Sequence, residues 1–104
     1  MAPSRRHARG PDSAPDLARI FRALSVDTRV RIVQPLQAQS LCVNALAVRL
    51  AVTHSAVSHH LWILREAGPV VPDRRGTWVH YRLNQETMRE WAEAAAGVLG
   101  RGSR

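Results

Sequence analysis

The stretch Thr53-His54-Ser55-Ala56-Val57-Ser58-His59-His60-Leu61-Trp62-Ile63-Leu64-Arg65-Glu66-Ala67-Gly68 has the marks of one short helix with a start, two faces and a stop. Thr53 can cap the amino end by accepting a hydrogen bond from a backbone N–H that has no partner inside the helix, and Gly68 followed by Pro69 ends it. Val57, Leu61 and Leu64 recur at four-then-three spacing, the stripe that packs inward. The opposite face carries His54, Ser55, Ser58, His59 and Trp62, with no acidic residue before Glu66. Hydroxyls, imidazoles and an indole suit hydrogen bonding to phosphates and base edges across a groove, where a merely solvated helix would carry Glu and Lys. A DNA-recognition helix is the expectation.

Immediately upstream, Leu41 to Leu50 reads as a short helix with Leu46 and Leu50 inward, and Ala51-Val52-Thr53 as a tight connection. Two short helices so joined, the second offering a polar face, match a helix-turn-helix in size and order. Downstream of Gly68 the period switches from helical to alternating. Val70 to Asp73 and Trp78 to Leu83 flank Arg74-Arg75-Gly76-Thr77, a hairpin with glycine in its turn, and Pro72 fits an edge strand because it has no N–H to give to a ladder. Arg74 and Arg75 at the tip are candidates for flanking phosphates or a minor groove; an exposed basic loop without a ligand is the plain alternative.

Further out, Leu17, Ile20, Phe21 and Leu24 fall on one helical stripe from Pro15. Asp27 opens a second helix, favourable at a positive helix amino end, with Val30, Val33 and Leu36 inward beside Ile32. Pro35 deletes a backbone hydrogen bond, so a kink or early stop is expected around Gln34. Between Asn84 and Leu99, Thr87, Met88, Trp91, Ala92, Ala95 and Val98 share a helical face opposite Glu86, Arg89, Glu90 and Glu93. Residues 1 to 14 and 100 to 104 lack hydrophobic periodicity and read as a flexible basic arm and a tail around one domain, 15 to 99.

A chain of 104 residues has room for one modest core. Fifteen basic residues, all Arg, against eight acidic ones give +7, which favours a polyanionic partner without separating DNA from RNA or an anionic membrane. Cys42 is the only cysteine, so no intrachain disulfide can form. No apolar run approaches the roughly 18 to 20 residues that span a bilayer, and no signal-peptide core is present, so a soluble, cytoplasmic protein is expected. Neither a carboxylate pair, an activated nucleophile nor a phosphate-cradling glycine loop stands out, and catalysis is not expected.

Helix, helix, helix-turn-helix, basic hairpin and helix, in that order, resemble the ArsR/SmtB family of winged-helix bacterial repressors. The resemblance runs from about Leu17 to Leu99 and is carried by residues 23 to 32 (Ala-Leu-Ser-Val-Asp-Thr-Arg-Val-Arg-Ile), 41 to 47, 55 to 61 with 64 to 68, and 75 to 83 (Arg-Gly-Thr-Trp-Val-His-Tyr-Arg-Leu). It implies a mainly α fold with a small β-hairpin, a winged helix-turn-helix of order α-α-α-α-β-β-α. It also implies a homodimer through the first and last helices that presents two recognition helices to a palindromic operator in double-stranded DNA. Leu17, Ile20, Phe21, Leu24, Met88, Trp91 and Ala95 would form that dimer face, which agrees with more apolar surface on the terminal helices than so small a core can cover. Half-sites would lie roughly 34 Å apart.

On effector sensing the sequence departs from its relatives. A thiolate-metal class uses a Cys-x-Cys pair where this chain has Cys42-Val43-Asn44, and a thiolate beside an amide is a poor site for arsenite or cadmium. A second class uses Asp and His on the last helix, and residues 84 to 99 contain neither. No metal or cofactor is therefore assigned, with Cys42, joined in principle by His7, the sole candidate ligand; as a buried apolar residue Cys42 needs no further role. His60 is assigned to local packing and His80 to the hairpin. Three functions remain in play: a dimeric repressor, a thiol- or metal-responsive sensor acting through Cys42, and a protein-interaction module on the same fold.

Overall fold

A computed structural model describes residues 14–100, with side chains from Asp16 onward. The basic arm with Arg5, Arg6, His7 and Arg9, and the tail beyond Gly100, lie outside the described residues. The elements are α1 (Ala14–Ala23), α2 (Asp27–Leu36), β1 (Leu41–Cys42), α3 (Val43–Leu50), α4 (His54–Ala67), β2 (Val70–Arg75), β3 (Trp78–Leu83) and α5 (Gln85–Leu99).

The core sits where α2, α3 and α4 meet the sheet. Ile32, Val33 and Leu36 of α2, Leu46 and Leu50 of α3, and Val57, Leu61 and Leu64 of α4 pack with Leu41, Val70 and Leu83. Each such side chain removed from water contributes about 1.5–3 kcal/mol, so α4 is anchored on its inward stripe by residues spaced as the sequence dictates. Val30 departs from its expected place: it lies at the exposed edge of α2, because Ile32 and Val33 already fill the inward arc.

α2 stops soon after Pro35, at Leu36, two residues beyond the expected Gln34. The proline falls in the last turn, where the missing N–H costs a single intrahelical bond, and the end tightens through Gln37 N–H to Gln34 O (3.2 Å) and Ala38 N–H to Pro35 O (3.1 Å).

Leu41 and Cys42, expected in the third helix, instead form β1, pairing antiparallel with β3 as Leu41 with Tyr81 and Cys42 with His80. The hairpin thus becomes a three-stranded sheet of order β1-β3-β2, with Pro72 on an edge strand as its chemistry requires. β2 also reaches two residues further towards the tip than expected, while β3 starts at Trp78 as expected. Arg75 pairs with Trp78, leaving Gly76-Thr77 as a two-residue turn with Gly76 at φ +65°, the position that glycine takes in a type II′ hairpin.

The connections around α4 are tightly built. Ala51 ends α3 in the left-handed region (φ 58°, ψ 44°), with Val52 N–H bonded to Ala47 O at 3.2 Å. Gly68 ends α4 at φ +117°, its N–H meeting Leu64 O at 3.0 Å, and Pro69 O then accepts from Asn84 N–H at 2.8 Å. Asn84 in turn caps α5, its side chain accepting from Thr87 N–H at 3.2 Å.

Candidate nucleic-acid interface

Thr53 Oγ1 accepts a hydrogen bond from Ala56 N–H at 3.1 Å, which fixes the start of α4 and the rotation of its first turn. With Val57, Leu61 and Leu64 buried, His54, Ser55, Ser58 and His59 are all exposed, and Trp62 keeps 59% of its surface in solvent. All five expected residues therefore lie on the exposed side of one helix. Among the described residues none of the five donates or accepts a side-chain hydrogen bond within the chain.

Two arginines that periodicity did not single out brace this helix-turn-helix. Arg29 Nε–H donates to His60 Nδ1 at 3.3 Å, and its Nη1 donates to the Ala23 and Arg22 carbonyls at 3.2 and 3.5 Å. Arg31 Nη2 donates to Leu50 O at 2.9 Å, satisfying a carbonyl at the end of α3. His60 is held neutral: burial pushes its pKa below the usual 6.5, helped by the Arg29 charge and then by His59, whose ring meets it edge-on at 5.4 Å. The sequence carries no local signal for this role, since Arg29 and Arg31 share their helix with Asp27, Thr28 and Gln34.

The two hairpin arginines differ. Arg75 is tied to Asp73 Oδ2 by Nη2 at 3.1 Å and Nε at 3.3 Å, and to Ser40 Oγ at 3.2 Å. Arg74 is exposed and, among the described residues, makes no hydrogen bond or ion pair. Beside them Trp78 is largely in solvent at the hairpin tip. Between α4 and β3 lies an open cleft of about 130 Å³ lined by Ser58, Leu61, Trp62, Arg65 and Tyr81.

Cys42 is a free, half-buried thiol. The strand register sets Cys42, His80 and Asp73 in one row across the sheet. Nδ1 of His80 is buried without a partner, and Asp73 is committed to Arg75. Among the described residues no group of three His, Cys, Asp or Glu is placed to hold a metal ion. His7, the other candidate ligand, lies outside the described residues, and no helix among them is long and apolar enough to cross a membrane.

The terminal helices α1 and α5 pack against each other. On them Phe21 is 39% exposed, Leu17, Trp91 and Ala95 are half-buried, and Val98 and Leu99 lie open. Ile20, expected on the dimer face, is only 4% exposed because it turns into its own protomer, and Leu24 and Met88 lean on the protomer's core. The buried residue of α5 is Ala94, which sequence reasoning missed because the alanines at 92, 94, 95 and 96 offer no contrast.

A capped helix with a polar outer face, preceded by a short helix and followed by a basic two-stranded hairpin, defines a winged helix-turn-helix domain. The model of the bacterial regulatory protein arsR family matches residues 27–70. The arsenic resistance transcriptional regulator of Pseudomonas putida is 38% identical over 76 residues, covering 72% of this chain and 59% of its own length. The cadmium resistance transcriptional regulatory protein CadC homolog of Staphylococcus aureus is 36% identical over 81 residues, covering 77% of this chain and 67% of its own. Among solved structures, an ArsR-like transcriptional regulator from Rhodococcus sp. RHA1 superposes with a TM-score of 0.71 at 30% identity, covering 79% of this chain and 75% of that one. A homodimeric winged helix-turn-helix DNA-binding domain from Mycobacterium bovis gives 0.67 at 25% identity, covering 84% and 82%. The chain belongs to the ArsR family of bacterial regulatory proteins. It spans between 59% and 67% of the length of these two curated relatives.

Proposed function

We propose that the protein is a cytoplasmic homodimeric transcriptional repressor that reads a palindromic operator with α4 and positions itself on the flanking backbone with the basic hairpin. The observation that carries this reading is the outer face of α4. His54, Ser55, Ser58, His59 and Trp62 are held outward by three buried aliphatics and a capped amino end, on a chain of net charge +7. Apolar surface left on Phe21, Trp91, Val98 and Leu99 supports pairing through α1 and α5, which would set two copies of α4 about one turn of DNA apart. Gel retardation with the DNA upstream of the protein's own gene tests it. Retention that resists salt better than that of scrambled DNA is expected; equal retention of both across a salt series would remove sequence-specific repression.

A second reading makes DNA affinity responsive to thiol chemistry or a metal at Cys42. It is supported by the free thiol standing in register with His80, whose buried Nδ1 has no partner, and by relatives named for arsenic and cadmium resistance. The lack of a third ligand among the described residues counts against a metal and leaves thiol modification as the stronger form. A Cys42→Ser protein that responds to thiol reagents as the wild type does would end it.

A further inference from the structure

We propose that the cleft between α4 and β3 seats one phosphodiester group of the operator backbone, with Arg65 as its counter-charge; this rests on the DNA-reading role of α4 proposed above. Ser58, Leu61, Trp62 and Arg65 stand at i, i+3, i+4 and i+7, so they form one stripe of α4, and Tyr81 of β3 supplies the facing wall. Leu61 is buried and forms the floor, while Ser58, Trp62 and Arg65 are exposed. Every polar group lining the cleft can donate: a hydroxyl, an indole N–H, a guanidinium and a phenol. No carboxylate lines it.

None of these donors is in use. Among the described residues, Ser58, Trp62, Arg65 and Tyr81 make no side-chain hydrogen bond or ion pair, whereas Arg29, Arg31 and Arg75 are all engaged within the chain. The volume of about 130 Å³ leaves room for a tetrahedral anion in place of solvent.

Topology decides which anion arrives there. With α4 in a major groove and the hairpin tip over the adjacent minor groove, the sugar-phosphate strand that separates the two grooves must pass between α4 and the hairpin. The cleft opens between the same two elements, α4 and β3 of the hairpin. A phosphate held there carries no base information but fixes the angle at which α4 enters the groove. Arg65 and Tyr81 thereby become positioning residues, distinct in effect from Ser55 and His59 further towards the amino end.

The test uses the full chain, a duplex from its own upstream region and a scrambled duplex, over a salt series, with wild type, Arg65→Gln, Arg65→Lys and Tyr81→Phe. Arg65→Gln should flatten the slope of log K against log salt by about 1.8, about 0.9 for each of the two Arg65 side chains in the dimer, equivalent to roughly sixty-fold weaker binding when carried from 1 M to 0.1 M salt, and equally for both duplexes. Arg65→Lys should keep the slope, and Tyr81→Phe should weaken both duplexes modestly with the slope unchanged. Replacing single phosphates by neutral methylphosphonates should reveal one sensitive position per half-site for the wild type that Arg65→Gln no longer notices. This scan on wild-type protein does not depend on how any variant folds. Wild type that prefers its own duplex while Arg65→Gln matches it in slope and phosphate sensitivity overturns the phosphate seat and leaves the DNA-reading role standing. Wild type that retains neither duplex overturns both.

Discussion

Arg29 of α2 and His60 of α4 share a hydrogen bond, Nε–H to Nδ1 at 3.3 Å, and the same guanidinium reaches the Ala23 carbonyl at the end of α1 at 3.2 Å. One side chain thus ties the first helix to the back of the helix whose front faces solvent with Ser55, Ser58 and His59. The bond requires a neutral imidazole, since a protonated Nδ1 is a donor and would face a permanent cation.

That requirement sets a pH dependence. Burial, Arg29 and His59 hold the His60 pKa below 6.5, so between 6.5 and its lower folded value the unfolded chain binds more protons than the folded one. Stability therefore rises with pH through this window and falls on acidification. Thermal melts between about pH 7.5 and 5.5 should show a steeper loss for wild type than for His60→Asn, whose carbonyl gives Arg29 a non-titrating acceptor. Identical pH profiles would contradict the role assigned to the pair.

The turn between α3 and α4 carries a removable strain. Ala51 at φ 58° occupies a region that disfavours a Cβ by about 1–2 kcal/mol, against about 0.5–1 kcal/mol of extra chain entropy for glycine. Ala51→Gly should raise stability by about 0.5–1 kcal/mol, read as a higher denaturant midpoint at constant m-value. Gly68→Ala, at φ +117°, should lower it by more than about 1 kcal/mol.

Arg74 and Arg75 should separate in DNA binding. Arg74 is free to meet a phosphate, and Arg74→Ala should reduce the salt slope by about 1.8, about 0.9 for each protomer of the dimer. Arg75 is already neutralised by Asp73 and bonded to Ser40, so Arg75→Ala should change the slope less. A larger slope change for Arg75 would show that its intrachain bonds break on the DNA.

Phe21 and Ile20 sit side by side on α1 with opposite surroundings, 39% and 4% exposed. Phe21→Glu should shift sedimentation towards monomer and weaken operator binding while the chain stays folded. Ile20→Ala should instead cost about 2–5 kcal/mol of stability, seen by denaturant titration. A Phe21→Glu protein that sediments as wild type would move the dimer face elsewhere.

How far the sequence could be read follows from what kind of signal each element leaves. Val57, Leu61 and Leu64 set the rotation of α4 because periodicity is strong where apolar and polar residues alternate cleanly, and Thr53 and Gly68 marked its ends. Leu41-Cys42 escaped because a two-residue strand is defined by its partner β3, which lies nearly 40 positions away, and helical and extended chains look alike over so short a run. Pro35 pointed to an end of α2 near Gln34, and the helix stops at Leu36; the exact residue depends on the capping bonds of Gln37 and Ala38, which sequence alone leaves open. The bonds of Arg29 to His60, Arg31 to Leu50 and Arg75 to Ser40, and the cleft at Arg65 and Tyr81, arise from tertiary contact and had no local signature.

The most direct test of the central claim removes Ser55 and His59 together, two exposed groups of α4 whose only ring contact within the described residues is that of His59 with His60 at 5.4 Å. Competition binding would measure the ratio of affinities for the upstream duplex and a scrambled one, for wild type and the Ser55→Ala/His59→Ala protein at the same salt. The ratio should collapse by at least about ten-fold, since each lost base contact is worth about 1–3 kcal/mol of discrimination, while binding to scrambled DNA changes little. An unchanged ratio in a folded, dimeric double variant would contradict recognition through the outer face of α4.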